Sequence, residues 1–171
     1  MPRTSMILAL LTLVAVGWHR PAAAHIVLAQ RTAPADSYFK VVLRVPHGCD
    51  GAATTGLTVE IPKTVLTAKP MVKPGWRIAT TDEKLDHPVD IEGHTRTSRV
   101  AQIAWRDGTL PDDRFDEFAF MVRLPAQAGR LVFPIVQTCG KTVVRWDETA
   151  GRGRPKPTHP APVLTLTPAA R

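Results

Sequence analysis

Tyr38-Phe-Lys-Val-Val-Leu-Arg-Val45 alternates with a period of two. Phe39, Val41, Leu43 and Val45 fall on one face, and Lys40 and Arg44 on the other. Successive side chains of a strand point to opposite faces of its sheet, so this stretch describes a strand with one buried side and one wet side. Shorter runs of similar character occupy residues 26–29, 57–61, 76–80, 100–105, 115–124, 131–138, 142–147 and 163–167. Nothing after residue 24 shows a 3.6-residue apolar period of helical length. Short strands separated by Pro, Gly and Asp, without helices, predict an all-β fold. The expected architecture is an antiparallel β-sandwich of the immunoglobulin or cupredoxin kind, with a closed barrel as the competing form.

The turn residues agree with that reading. Lys73-Pro-Gly-Trp76 places Pro and Gly where a type II turn needs them. Arg106-Asp-Gly-Thr109 and Ala128-Gly129 carry hairpin-turn residues. The segment 151–162, rich in Gly, Arg and Pro, predicts a loop before the last strand. No internal repeat is present. A chain of 171 residues is large enough for one domain with a real core, and hardly for two.

Composition narrows the function class. Hydrophobic residues make up 44% of the chain, which excludes a disordered polymer. Basic residues number 22 against 15 acidic, a formal charge of +7. Arg3 and Arg20 lie in a leader, and without them the surplus is small and dispersed, apart from Arg152, Arg154 and Lys156. No basic stripe interleaves with aromatics, so no nucleic-acid partner is expected.

Residues 1–24 read as a secretory signal peptide: Arg3, then an apolar run from Met6 to Gly17, then Ala22-Ala-Ala24. That run is too short to span a bilayer core of about 30 Å as a helix. No Cys stands at the junction and no twin Arg precedes it, so general export of a non-lipidated protein is expected, to the periplasm where there is an outer membrane. The domain proper is then residues 25–171. An exported protein with two cysteines most simply pairs them, here Cys49 with Cys139. A thiolate pair for copper(I) is the alternative, without a Cys-x-x-Cys spacing behind it.

Cleavage after Ala24 would expose His25 as the first residue. Its α-amine and imidazole Nδ1 can then close a six-membered chelate ring on one metal ion. Both kinds of nitrogen shed their protons near neutral pH, so the chelate forms at low deprotonation cost. Two nitrogen donors in a tetragonal arrangement suit Cu(II) among the first-row divalent ions. Further candidates come from strand-like runs. Glu117, in Phe115-Asp-Glu-Phe-Ala-Phe120, lies opposite the face of Phe118, Phe120 and Val122 and beside Ala119 and Met121. A carboxylate among apolar neighbours requires a positive partner, either a metal ion or an Arg. Trp146 suits either a core position or a shield beside a copper ion.

Taken in order along the chain, these residues resemble the YcnI-like copper-binding domain family of exported bacterial proteins. The similarity runs from His25 through Arg44-Val-Pro46, Val59-Glu-Ile-Pro62, Lys73-Pro-Gly-Trp76, Ile103-Ala-Trp105 and Phe115-Asp-Glu-Phe118. It continues through Phe133-Pro-x-x-Gln137-Thr-Cys139 to Trp146. It implies a β-sandwich binding a single Cu(II) in a one-histidine brace. The brace would be His25, with Trp146 nearby and a carboxylate for which Glu117 is the candidate. The implied role is copper homeostasis or delivery outside the cytoplasm, with copper-handling membrane or periplasmic proteins as partners and no catalysis. Two other classes stay in view. A copper oxygenase would need a second imidazole, and His47, His87, His94 and His159 all read as loop residues or neighbours of Gly. A metal-free immunoglobulin-like module would use the same sandwich to bind a partner.

Overall fold

The computed structural model describes residues 25–151, 153 and 155–169. The signal-peptide reading of residues 1–24 lies outside the described residues. The strands are, in chain order, β1 (Val27–Leu28), β2 (Thr32–Pro34), β3 (Tyr38–Val45), β4 (Thr54–Glu60), β5 (Ala68–Pro70) and β6 (Arg77–Ile91). They continue as β7 (His94–Leu110), β8 (Asp116–Arg123), β9 (Gly129–Val132), β10 (Ile135–Cys139), β11 (Thr142–Trp146) and β12 (Val163–Thr167).

One layer has the order β1-β3-β8-β5 and the facing layer the order β11-β10-β4-β7-β6. A short sheet, β2-β12-β9, adjoins the second layer where β9 runs on through Phe133-Pro134 into β10. Pairing is antiparallel except between β12 and β2. The fold is a β-sandwich, as the alternation in β3 predicts: Val41, Leu43 and Val45 are fully buried and Arg44 is exposed. Phe118 and Phe120 of β8 cross the gap between the layers. The Phe118 ring meets Trp105 edge-on at 5.4 Å, and the Phe120 ring meets Phe133 at 6.0 Å. Such aromatic pairs add about 0.5–1.5 kcal/mol each beyond the area they bury.

The predicted type II turn is present. Trp76 N–H donates to the Lys73 carbonyl at 3.2 Å and Gly75 has φ of 77°, a conformation a Cβ would strain. Two other turn expectations are corrected. Arg106-Asp-Gly-Thr109 is not a hairpin turn but lies inside β7, as a bulge where the register against β4 shifts between Thr54 and Gly56. Asp107 takes φ of 59° there, and a Cβ on Gly108 would run into the Trp76 indole, which covers it. Ala128-Gly129 joins β8 of one layer to β9 of another sheet, a crossing between layers and no hairpin. The run expected across 131–138 is likewise two strands, because Pro134 brings no N–H to a ladder.

Cys49 and Cys139 form a disulfide, with Cα atoms 5.9 Å apart across a sequence separation of 90. The pairing expected from two cysteines in an exported chain holds. Gly48 makes the approach possible: a Cβ there would collide with the Ala52 carbonyl, which accepts from Cys49 N–H at 2.9 Å. Among the described residues no helix is long and apolar enough to cross a membrane.

Candidate metal centre

The site forms where the chain enters the sandwich. Val27 pairs with Arg44 and Leu28 with Leu43, so His25 stands just ahead of the first ladder position, beside the end of β3. Trp146 closes β11 on the outer edge of the facing layer, opposite Ile135 of β10. The two residues meet: the His25 imidazole lies edge-on to the Trp146 indole, with centroids 5.8 Å apart and planes at 72°.

A buried polar chain holds the indole. Trp146 is only 4% exposed, and its Nε1–H donates to Gln137 Oε1 at 3.0 Å. Gln137, itself buried, donates through Nε2 to Thr54 Oγ1 at 2.7 Å and to the His47 carbonyl at 3.0 Å. Every polar atom of the Gln137 side chain is thereby satisfied, the condition under which such an interior network fixes a single geometry. Trp146 is thus a core residue, as one of its two readings expects, and it also borders His25.

A second imidazole reaches the same indole. His159 lies T-shaped to Trp146 at 5.1 Å, although it belongs to the loop between β11 and β12. Sequence reasoning placed His159 in a loop and missed this contact. The bridge pairing Glu148 with Pro160 folds the loop back onto the end of β11, and no local pattern announces it. Glu148 Oε2 accepts from the N–H groups of Thr158 and His159 at 2.7 and 3.2 Å, and Oε1 lies 4.0 Å from His159 Nδ1. Glu148 and His25 line one cleft.

Glu117 sits elsewhere on the surface. It occupies β8, across β3 from β1 in the row Val27–Arg44–Glu117. Its Oε1 accepts from Arg44 Nε at 2.9 Å, with both side chains about half exposed. The positive partner that the carboxylate requires is thus an Arg. His25 and Trp146 are brought together, and no contact joins Glu117 to them.

Among the described residues no three His, Cys, Asp or Glu side chains converge as a metal cluster. A brace does not require one, because its second nitrogen comes from the main chain. The His25 and His159 imidazoles both meet the Trp146 indole, and the Glu148 carboxylate lines the same cleft as His25. With a freed α-amine at His25 they fit a nitrogen-rich Cu(II) site.

Two packed antiparallel layers define an immunoglobulin-like sandwich, with the histidine–tryptophan contact at the entry of its first strand. Residues 25–166 match the family described as Domain of unknown function (DUF1775), the YcnI-like domain, and the chain belongs to that family. Among solved structures it is similar to an uncharacterized protein from Nocardia farcinica with an immunoglobulin-like fold. The two share 28% identity over 83% of this chain and 97% of that one, with a TM-score of 0.64. A type I cohesin of Pseudobacteroides cellulosolvens aligns over 86% of this chain and 94% of its own, at 8% identity and a TM-score of 0.39. No curated protein matches the chain.

Proposed function

We propose that the mature protein begins at His25, is exported to the periplasm, binds one Cu(II) and serves copper homeostasis or delivery. The observation that carries this reading is the His25 imidazole set edge-on against the buried Trp146 indole at 5.8 Å. Copper is cargo here, and no catalytic step is assigned. The α-amine and Nδ1 of His25 would hold the ion, and Trp146, fixed by Gln137, would keep solvent from one side of it. Glu148 shares the cleft with His25 and is the carboxylate we assign. Glu117 could serve only by releasing Arg44. Donor and acceptor proteins would be copper handlers outside the cytoplasm.

The test is copper(II) titration and electron paramagnetic resonance on protein with a verified His25 amino terminus, beside a form carrying one Gly ahead of it. One stoichiometric site with nitrogen hyperfine structure is expected, and it should be lost in the extended form, whose primary amine is displaced. Glu148→Gln is expected to weaken binding about tenfold, equivalent to about 1.4 kcal/mol, and Glu117→Gln to leave it unchanged. Equal, weak binding by the native and extended forms would overturn the brace and leave a metal-free partner-binding module. Coupling to a second imidazole, abolished by His159→Ala, would move the protein toward the two-histidine oxygenases.

A further inference from the structure

The cleft beside His25 is built to receive something larger than an ion. It encloses about 800 Å³ between β1, the outward face of β9, the start of β12 and the loop that follows β11. Leu28, Val132 and Val163 give it an apolar lining, while Arg31, Arg130 and Lys156 bring three cations to it. Among the described residues none of these three enters an ion pair. The lining carboxylate, Glu148, is already engaged by two main-chain N–H groups. With three cations against that one carboxylate, the cleft presents a net positive charge over an apolar surface.

One wall is also a free strand edge. β1 ends its sheet, pairing with β3 alone. Ala29 N–H donates to the Val42 carbonyl at 2.9 Å. Main-chain groups alternate sides along an antiparallel strand, so those of Leu28 point away from β3. An edge of this kind accepts an added strand, with affinity from main-chain hydrogen bonds and selectivity from the flanking side chains. The chain's own leader is a poor occupant, because residues 1–24 contain Arg3 and Arg20 and no acidic residue.

We propose that this cleft docks an acidic, extended segment of a partner protein, added along β1 with its carboxylates toward Arg31, Arg130 and Lys156. The docking goes beyond the copper reading and does not depend on it, since no metal enters the contact. Its position does mean that a docked segment would lie against His25.

The probe is a fluorescein-labelled peptide alternating Glu with Val and Thr, added to metal-free protein, with the Lys-for-Glu peptide as control. Saturable binding of the acidic peptide is expected, weakening as salt rises. Arg130→Glu and Arg31→Glu should each weaken it about tenfold, as reversal of a facing charge does. Both side chains are exposed, so the variants should keep the wild-type thermal midpoint. Exchange of the Leu28 amide should slow in the complex. Equal binding of both peptides, or indifference to both charge reversals, would overturn the proposal. Unchanged Leu28 exchange would overturn the strand addition. A dimer of the free protein that Arg130→Glu dissolves would identify a second copy as the occupant and overturn the partner. Repeating the titration on the Gly-extended form separates this proposal from the brace, because docking should survive that extension.

Discussion

Tyr38 shows how one side chain reports on a distant turn. Its hydroxyl donates to Glu92 Oε2 at 2.8 Å, across a sequence separation of 54. That hydrogen bond to the Glu92 carboxylate holds the phenol above the ordinary tyrosine range, because losing the proton would break the bond and face two anions. The folded group titrates higher than the unfolded one. The contact therefore stabilises fully below the ordinary tyrosine range and is lost as pH rises through the folded value. Tyr38 is the single tyrosine of the chain, so tyrosinate absorbance reads it without ambiguity. A midpoint above that of free tyrosine is expected, and Glu92→Gln should lower it toward the ordinary value. An unchanged midpoint in that variant would show that the contact does not persist in solution. At the same scale, the sequence made His25 and Trp146 visible through their chemistry. It could not show that they touch, because they lie in facing layers joined by no local pattern.

β6 and β7 form a hairpin whose distal part explains most of what the sequence concealed. Its tip is Glu92-Gly93, with φ of 53° and 77°, the left-handed pair that a two-residue hairpin loop requires. Residues 82–98 are almost all exposed, so no face of this arm needs apolar residues and the alternation that revealed β3 is missing. The pairing shifts between Lys84 and Val89, where Pro88 could not have donated to a ladder. β2 and β5 escaped notice for a related reason: three residues containing a Pro carry no readable period. The bulge at Asp107 misled in the opposite direction, since Asp-Gly signals positive φ without saying whether the chain reverses or continues. The arm's root is anchored independently of its tip. Arg99 is buried and donates to the Ile61 carbonyl at 3.1 Å and to Glu83 Oε2 at 2.8 Å. Replacing residues 85–97 by Asn-Gly, between the paired Lys84 and Ser98, should therefore leave the sandwich intact. Denaturant unfolding is expected to stay cooperative, with stability within about 1 kcal/mol of wild type, as for changes confined to exposed surface. A loss several times larger would mean that the arm supports the sandwich through the contacts of Glu92 with Tyr38 and Arg123.

Across the whole molecule, the disulfide and the candidate site are two ends of one interior line. Cys139 Sγ lies 3.8 Å from Thr54 Oγ1, which accepts from Gln137, which in turn holds Trp146. The covalent end ties the loop before β4 to the end of β10, and the polar end ties β10 to β11. These ends stabilise by different means. A cross-link between residues 90 apart acts mainly on the unfolded chain, by removing conformations it would otherwise explore, while the Gln137 bonds act in the folded state. The two contributions should then separate. The double variant Cys49→Ala, Cys139→Ala should lose about 2–5 kcal/mol in denaturant unfolding, the range for a native disulfide of this kind. While folded it should keep the copper spectrum proposed for the parent, because neither cysteine touches His25 or Trp146. A changed spectrum in the folded variant would show that the loop carrying His47 needs the cross-link to hold Gln137, making the disulfide part of the site. A stability loss below about 1 kcal/mol would show that the unfolded chain is already compact around that pairing.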